Sequence, residues 1–215
     1  MKICHIVGAG EFNPCSFKPC KDDYVIAADA GYGYCESLGI TPHLVMGDFD
    51  SLGELPKHGN VIQHPVMKDD TDTMLAVKKA LEMGYECIML HGCTGGRQDH
   101  TLANLQALYY IAKSGAVGFM FGTDYIASCI SAGSMKFDRS CKGNVSVFCM
   151  GERALGVCIK GLKYEACNIE MTPDNPVGVS NEFVGKESLI SVKSGVLTVL
   201  WSDMLSALPT IEKSC

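Results

Sequence analysis

The sequence lacks any apolar run that approaches the roughly 20 residues needed for a helix to cross a bilayer. It also lacks an N-terminal hydrophobic segment with a cleavage site, because the short run 1–7 leads directly into Gly8-Ala9-Gly10. These absences predict a soluble, cytoplasmic protein with no membrane partner.

Positive charge is scarce as well. The chain has 18 Lys and Arg against 24 Asp and Glu, which gives a formal net charge of -6. Binding to a nucleic-acid backbone requires clustered Lys and Arg, so nucleic acid is not an expected partner. The hydrophobic fraction of 47% is close to the globular average, and a chain of 215 residues is long enough to bury a core.

Cysteine pairs of the C-x-x-C type are absent, although the chain has 12 cysteines. Cys15 and Cys20 form a C-x4-C pair without a histidine cluster beside it, whereas a structural zinc site needs four ligands. The expectation is therefore reduced and mostly buried thiols. A redox role stays open for four cysteines in the C-terminal half of the chain: Cys141, Cys149, Cys158 and Cys167.

Up to about residue 123, short apolar runs alternate with helical patterns, which is typical of a parallel sheet covered by helices. The runs that predict strands are residues 2–7, 24–28, 43–46, 60–63, 86–90 and 117–121. Two helices are predicted from apolar residues at helical spacing: Met74, Val77 and Leu81 in the first, and Leu102, Leu105, Tyr109 and Ala112 in the second.

After Asp124 the pattern changes to many short runs rich in β-branched residues and separated by Gly, Asn or Asp. Examples are residues 144–150, 156–160, 188–193 and 196–201. The sequence thus predicts an α/β plus all-β organisation. An N-terminal, Rossmann-like α/β domain with a parallel sheet would span residues 1–125, and a small antiparallel β-sandwich would span residues 126–215.

Acidic residues follow two of the predicted strands. Asp29 comes after residues 24–28 and Asp48 after residues 44–47, so both lie at the carboxyl ends of presumed parallel strands, where open α/β sheets bind ligands. Asp50 would share a face with Asp48 if the chain stayed extended there. Converging carboxylates repel one another, so a hard cation such as Mg2+ is expected among them.

Three further aspartates, Asp69, Asp70 and Asp72, open the helix predicted over residues 71–82. Structural roles compete with ligand binding at some of these positions. Asp70 is a good candidate for the helix N-cap, and Asp29 could be a turn residue before Gly31.

A glycine-rich segment, residues 91–100, lies between a predicted strand and a predicted helix. Its glycines would let backbone N–H groups approach an anion, and the helix N-terminus would add a favourable dipole. Arg97 adds a planar cation suited to phosphate oxygens. The segment lacks the Lys-Ser/Thr ending of a P-loop, and Gly8-Ala9-Gly10 lacks the third Gly of a dinucleotide fingerprint. An ordinary strand-to-helix turn is the alternative, and His100 could simply cap or pack.

In the C-terminal half, Ser180, Asn181 and Trp201 stand out. Ser and Asn in a loop that bounds a strand are most often turn residues. Trp201 is the single tryptophan, and a tryptophan in an apolar run is most often a core residue.

Five short motifs, in their order and spacing, resemble the thiamine pyrophosphokinase family. They are Asp29-Ala30-Gly31, Gly47-Asp48-Phe49-Asp50-Ser51, Lys68-Asp69-Asp70-Thr71-Asp72, Gly95-Gly96-Arg97-Gln98-Asp99-His100 and Ser180-Asn181-Glu182. Two positions depart from the usual pattern, namely Ala30 where a second Gly is frequent and Cys93 in the glycine run. Neither departure removes a charge, so they bear on nucleotide pose and affinity more than on reaction type.

The resemblance implies a Mg2+-dependent transferase that moves the pyrophosphoryl group of ATP to the thiamine hydroxyl, releasing AMP. It also implies a homodimer with composite active sites, in which the α/β domain of one subunit meets the β-sandwich of the other. The implied metal ligands are Asp48, Asp50 and Asp72. The implied ATP-binding residues are Asp29, Thr94, Gly95, Gly96, Arg97, Asp99 and His100. The implied thiamine-binding residues are Asp72, Ser180, Asn181 and Trp201, and the implied catalytic residues are Asp48, Asp50, Asp72, Arg97 and Asp99.

Two other functions remain open at this point. A metal-dependent phosphohydrolase would also use an acidic cluster beside an anion-binding loop, because water can replace the alcohol as acceptor. A non-catalytic thiamine sensor with the same fold is the second alternative, although a sensor has no need of Asp48, Asp50, Asp72 and Arg97.

Overall fold

The computed structural model describes residues 1–49 and 56–213. The chain divides into two compact units, Met1–Thr123 and Asp124–Cys215. No helix in the described part is both long and apolar enough to span a membrane.

The first unit is a parallel sheet with three helices. Its elements in chain order are β1 (Ile3–Val7), β2 (Tyr24–Ala28), α1 (Gly31–Ser37), β3 (Leu44–Gly47), β4 (Val61–Gln63), α2 (Asp72–Glu82), β5 (Cys87–His91), α3 (Gln98–Lys113) and β6 (Val117–Phe121). Each of the six predicted strands is present within one residue of its expected bounds, which confirms the parallel α/β pattern.

Strand burial explains why the apolar runs were informative. From the second residue onward, every position of β1 and of β2 is buried, as expected for a parallel sheet covered on both faces. The first turn of α1 packs directly on this sheet, because a Cβ at Gly31 would collide with the backbone oxygen of Val7.

The buried face of α3 differs from the predicted one. Its buried residues are Asn104, Ala107, Leu108, Ile111 and Ala112, whereas Leu102 is 58% exposed. Ala112 was predicted correctly, but the prediction gave weight to Leu102 because leucine is apolar. The polar Asn104 is buried instead because its side-chain amide donates to the carbonyl oxygen of Cys93 at 2.7 Å.

The parallel ladders give the strand order β4-β3-β2-β1-β5-β6. Strand order therefore reverses between β1 and β5. In open α/β sheets, ligands bind outside the carboxyl ends of the strands at such a reversal point. The segments after β1 and β5, which begin at Gly8 and Gly92, are placed there.

The second unit consists of antiparallel strands. They are β7 (Ile126–Phe137), β8 (Asn144–Lys160), β9 (Ala166–Met171), β10 (Gly178–Glu182), β11 (Ser188–Trp201) and β12 (Thr210–Lys213). Strand β11 pairs with β7 and β8, β8 also pairs with β9 and β10, and β12 pairs with β7.

The separate short strands predicted in this unit are wrong at two places. Residues 144–150 and 156–160 belong to the single strand β8, and residues 188–193 and 196–201 belong to β11. The glycines that suggested turns mark register shifts instead. Gly195, with φ of 93°, is required there because a Cβ would collide with the backbone oxygen of Arg153.

Candidate active site

A cavity of about 510 Å3 lies in the first unit at the carboxyl edge of its sheet. Many of the sequence-predicted residues line it, including Asp29, Asp72 and Arg97. The other predicted residues on its wall are Asp69, Asp70, Thr94, Gly95, Gly96 and His100. The prediction that ligand-binding side chains converge at this edge is therefore consistent with the geometry of the first unit.

The segments after β1 and β5 are joined by backbone hydrogen bonds. Gly8 N–H donates to the oxygen of His91 at 2.8 Å, and Gly10 N–H donates to the oxygen of Gly92 at 2.7 Å. A Cβ at Gly92, whose φ is 61°, would lie 2.5 Å from the oxygen of Gly8. Only glycine allows this close approach, so the glycines here build the cavity wall at the strand reversal.

The anion-binding character predicted for residues 91–100 rests on two features of the loop. Gly95 and Gly96 both have positive φ, at 74° and 57°, which gives the loop backbone conformations that other residues rarely adopt. The loop then leads into α3 at Gln98. A helix N-terminus with free backbone donors favours an anion, so this wall of the cavity is suited to phosphate oxygens.

A second wall of the cavity, formed by Lys68 with Asp48 and Asp72, carries carboxylates and is called the acidic wall below. Lys68 Nζ donates to Asp48 Oδ2 at 2.8 Å and to Asp72 Oδ1 at 2.7 Å. These side chains are only 13%, 12% and 19% exposed, respectively. Burial alone would lower the pKa of Lys68, but hydrogen bonds and charge attraction from Asp48 and Asp72 raise it above its ordinary value. The lysine is held here as a cation.

The donor atoms of the acidic wall can be compared with the ligands that a metal ion prefers. Oxygens of Asp48 and Asp72 both lie within 2.8 Å of one cationic atom, so two hard oxygen donors already converge on a position of positive charge. That donor chemistry fits Mg2+. Within residues 1–49 and 56–213, no group of three or more potential ligands is assembled as a metal site, and the predicted third ligand, Asp50, lies outside the described residues.

The expected side-chain alignment of Asp48 and Asp50 required an extended chain between them. Phe49 instead has φ of 58°, in the left-handed region, so the extended premise is wrong. Asp48 itself follows directly on β3, whose last residue is Gly47, as predicted.

Asp70 is not the N-cap of α2. The N-cap is Thr71, whose hydroxyl accepts from the N–H of Met74 at 3.2 Å. Asp70 forms an ion pair with Lys78 at 2.6 Å. The helix begins at Asp72, so the residue with extended backbone directly before the first turn is Thr71. An N-cap occupies that position, which is why Thr71 rather than Asp70 caps the helix.

Arg97 and Asp99 form an ion pair at the rim of the cavity. Arg97 Nη2 donates to Asp99 Oδ2 at 2.6 Å, and its Nε donates to the other carboxylate oxygen at 3.2 Å. The hydrogen bond from Arg97 lowers the pKa of Asp99. Both side chains are more than half exposed, at 71% and 65%. Asp99 is not among the residues that line the cavity, whereas Arg97 and His100 are.

Strained backbone coincides with the predicted motifs. Five non-glycine residues in the described part have positive φ, and among them are Asp29 at 50°, Phe49 at 58° and Ser180 at 60°. Such conformations cost of order 1 kcal/mol each and concentrate at ligand sites. The backbone of Asp29 is fixed by its N–H, which donates to the oxygen of Met46 at 2.8 Å.

The second unit places its predicted residues in different environments. Ser180 is exposed, whereas Asn181 is 4% exposed. The Asn181 amide is engaged in structure, since it accepts from the N–H of Tyr164 at 2.9 Å and donates to the Tyr164 oxygen at 2.7 Å. Asn181 also lines a separate cavity of about 220 Å3 together with Tyr164 and Val179.

Trp201 is 3% exposed and packs edge-on against Phe137, with ring centroids 5.3 Å apart. This burial favours the interpretation of Trp201 as a core residue of the second unit over a contact with thiamine.

Lys68 is the main residue whose role sequence reasoning missed. It belonged to a recognised motif but received no function. Lys68 lies before Thr71, the N-cap of α2, so its spacing of four residues from Asp72 is not the helical spacing that would have signalled the pair. Its contact with Asp48, which is 20 residues distant, depends on the folded sheet.

The strand order and the cavity together define an α/β unit with a candidate ligand site at the carboxyl edge of a parallel sheet. Two family profiles match this chain: "Thiamin pyrophosphokinase, catalytic domain" over residues 20–117 and "Thiamin pyrophosphokinase, vitamin B1 binding domain" over residues 134–197. Together they cover more than half of the sequence. The chain belongs to the thiamin pyrophosphokinase family.

Individual relatives agree with this assignment. A protein of Bacillus subtilis (strain 168) named thiamine pyrophosphokinase is 28% identical over 184 residues, covering 82% of this chain and 86% of its own. The crystal structure of thiamine pyrophosphokinase from Bacillus subtilis superimposes with a TM-score of 0.85 at 27% identity, covering 95% of this chain and 100% of that one. A thiamin pyrophosphokinase structure from Geobacillus thermodenitrificans gives a TM-score of 0.79 at 26% identity, over 96% and 100% of the two chains.

Proposed function

We propose that this chain transfers the pyrophosphoryl group of ATP to the hydroxyl of thiamine, giving thiamine diphosphate and AMP. Membership of the family supports the reaction, because its two profiles describe a catalytic domain and a vitamin B1 binding domain. The observation that carries the proposal is the cavity of the first unit, where an anion-binding loop faces Lys68, which is held between Asp48 and Asp72.

ATP would bind with its phosphates against the glycine-rich loop. Thr94, Gly95 and Gly96 line the cavity beside the N-terminus of α3, where backbone donors and the helix dipole favour phosphate oxygens. Arg97 is exposed at the same rim and can reorient its guanidinium toward a phosphate. Asp29 and His100 complete the proposed ATP-binding wall.

Mg2+ would be held by Asp48 and Asp72, with Asp50 as the third proposed ligand. When bound, the ion supplies positive charge that neutralises phosphate oxygens during transfer. Lys68 already stabilises the two carboxylates as a pair, so this chain keeps the acidic wall assembled before any ligand arrives. Asp48 and Asp72 would act by fixing where that positive charge lies relative to the acceptor hydroxyl.

A carboxylate of the first unit would accept the proton from the thiamine hydroxyl. The geometry favours Asp72 over Asp99, because Asp72 lines the cavity and Asp99 does not. The pKa of Asp99 is also lowered by Arg97, which makes this carboxylate a weaker base.

The second unit would bind thiamine through Ser180 and Asn181. Positive φ at the exposed Ser180 supports a ligand role, whereas the buried Asn181 would act by holding the segment around Tyr164. We further propose that the long strands of this unit fold into two facing layers as a β-sandwich, consistent with the register breaks in β8 and β11. The proposed assembly is a cytoplasmic homodimer with composite sites.

The decisive experiment incubates the purified chain with ATP and Mg2+, with and without thiamine, and separates the products by chromatography. The proposal predicts AMP and thiamine diphosphate in equal amounts, and only when thiamine is present. Release of AMP, ADP or phosphate without thiamine would indicate a phosphohydrolase instead. Tight thiamine binding without any turnover would indicate a sensor.

A further inference from the structure

A second chemical feature lies in the antiparallel unit, on strands β8 and β9. Val157 pairs with Ile169 and Ile159 pairs with Ala166, with a register shift between the two pairs. One residue of β8, Cys158, therefore faces two residues of β9, Cys167 and Asn168. This is a β-bulge, and Asn168 has the positive φ of 55° that accompanies it.

The bulge brings two thiols into contact. Cys158 Sγ and Cys167 Sγ lie 3.7 Å apart. The backbone N–H of Asn168 points at Cys158 Sγ and donates to it at 3.2 Å, so the sulfur takes a backbone donor that a regular ladder would use. Closing a disulfide requires the sulfurs to approach to about 2.05 Å, which side-chain rotation on adjacent strands can supply.

We propose that Cys158 and Cys167 form a dithiol modification site that low-molecular-weight disulfides, of the glutathione disulfide type, oxidise to an intramolecular disulfide. The proposal does not rest on the transferase activity. In the first step the Cys158 thiolate attacks one sulfur of the small disulfide, which forms a mixed disulfide and expels one thiolate. In the second step the Cys167 thiolate attacks the Cys158 sulfur and expels the other small thiol. Two cysteine thiols are oxidised and one small disulfide is reduced to two thiols.

Access distinguishes this pair from the buried cysteines, and the short sulfur–sulfur distance distinguishes it from the exposed Cys15 and Cys20. Cys167 is exposed and Cys158 is half-buried, whereas seven described cysteines, among them Cys4, Cys93 and Cys129, are buried. Burial raises the pKa of each of these three thiols to about 12. The pKa of Cys158 is instead lowered, first by the hydrogen bond from the Asn168 N–H and further by Cys167 and by the charges of Lys160 and Lys193. Thiolate is the reactive form.

The surroundings also suit an anionic small disulfide. A groove of about 300 Å3 opens beside Cys158 and is lined by Lys193, Lys213 and Glu212, whose carboxylate is already paired with Lys136. Lys193 is held next to the pair because its Nζ donates to Asn168 Oδ1 at 3.2 Å. Carboxylates of a glutathione-type reagent would be attracted to these lysines, and the approaching sulfur would meet Cys158.

The test treats the reduced full-length protein with glutathione disulfide and quenches aliquots with an alkylating agent. Proteolysis without reduction and mass spectrometry then identify which cysteines are linked. The expected first product is a peptide pair joined through Cys158 and Cys167. Cys158→Ser should leave Cys167 unlinked or carrying one glutathionyl group, and Cys167→Ser should trap that group on Cys158.

Two matched controls keep the proposal falsifiable. Cys15→Ser removes another exposed thiol and should leave the rate of linkage unchanged. Lys193→Gln removes a nearby cation and should slow linkage roughly 2- to 5-fold, because it reduces the thiolate fraction of Cys158. Faster reaction at Cys15 or Cys20, a stable mixed disulfide on Cys158 in the unmodified sequence, or no linkage at all would each overturn the proposal.

Discussion

Two walls of the cavity in the first unit each carry a cationic side chain paired with carboxylate. One of these cations is buried and the other is exposed. Lys68 between Asp48 and Asp72 is 13% exposed, whereas Arg97 beside Asp99 is 71% exposed. Exposed ion pairs contribute at most about 1 kcal/mol because water and salt screen them, but breaking a buried pair leaves an uncompensated charge. We expect the Lys68 wall to keep its charges in place without a ligand, and the exposed Arg97 to be available to one.

The largest expected effect comes from Asp48→Asn. The amide keeps the size of the side chain and can still accept from Lys68, but it removes the charge proposed to hold Mg2+. Turnover should fall at least about 100-fold, while the circular dichroism spectrum stays unchanged. Asp70→Asn is the matched control, because Asp70 lines the cavity beside Lys68 but pairs with Lys78 instead. Near wild-type turnover of Asp48→Asn would remove the proposed metal site.

Lys68→Met tests how much the buried cation contributes to stability. Without the lysine, Asp48 and Asp72 face each other in a partly buried wall, so the metal-free protein should lose roughly 1 to 3 kcal/mol of unfolding free energy. Mg2+ should then restore more stability in the variant than in the wild type, since no built-in cation competes for the carboxylates. Thermal unfolding with and without Mg2+, together with binding of Mn2+ in the absence of ATP, measures both effects.

Lys78→Met is the control for that experiment, because it removes the same charge from a more exposed pair with Asp70. It should change the free energy of unfolding much less than Lys68→Met does and leave Mn2+ binding unaltered. Equal behaviour of the two lysine variants would contradict the special position of Lys68.

The parallel unit was predictable because its signals are local. Each of its strands is an apolar run between polar residues, and the acids at Asp29 and Asp48 follow directly on strand ends. In the antiparallel unit, Gly195 resembles a turn residue in the sequence but lies inside β11. Whether a glycine ends a strand or bends it depends on the register with a partner strand, which no local pattern contains.

The site was predictable to the extent that topology alone determines it. Parallel strands bring their carboxyl ends to one edge, so loop residues such as Thr94 and Arg97 could be placed on one cavity wall. The pairing of Lys68 with Asp48 could not be found, since it joins segments 20 residues apart through the folded sheet. The same limit applies to Cys158 and Cys167, whose contact depends on a bulge.

The buried histidines of the first unit should make the stability of the protein depend on pH. His5 Nδ1 and His91 Nε2 lie 3.1 Å apart, and burial lowers the pKa of both groups, although the Asp23 carboxylate partly opposes this for His5. Near and below the ordinary histidine pKa of about 6.5, the unfolded chain therefore binds more protons than the folded protein does. Stability should therefore be fully present above that pH and decrease as the pH falls, by about 1.4 kcal/mol between pH 7.5 and pH 5.5 from His91 and by a smaller further amount from His5.

Urea unfolding at the two pH values measures this change. His91→Gln should reduce the pH dependence because it removes one buried imidazole, and His58→Gln, which removes an imidazole outside the buried His5–His91 pair, should leave it as in the wild type. An unchanged slope in His91→Gln would show that other groups carry the acid sensitivity.

The smallest effect on stability is expected at the exposed pair. Arg97→Gln and Asp99→Asn should each leave the urea midpoint of unfolding close to that of the wild type, since both side chains face solvent. If Arg97 contacts phosphate during the reaction, Arg97→Gln should nevertheless lower turnover about 10-fold. Asp99→Asn, which only frees the guanidinium, should lower turnover much less. Equal losses of turnover in the two variants would mean that Arg97 acts through its ion pair with Asp99, and the contrast between a buried wall and an exposed one would fail at this residue.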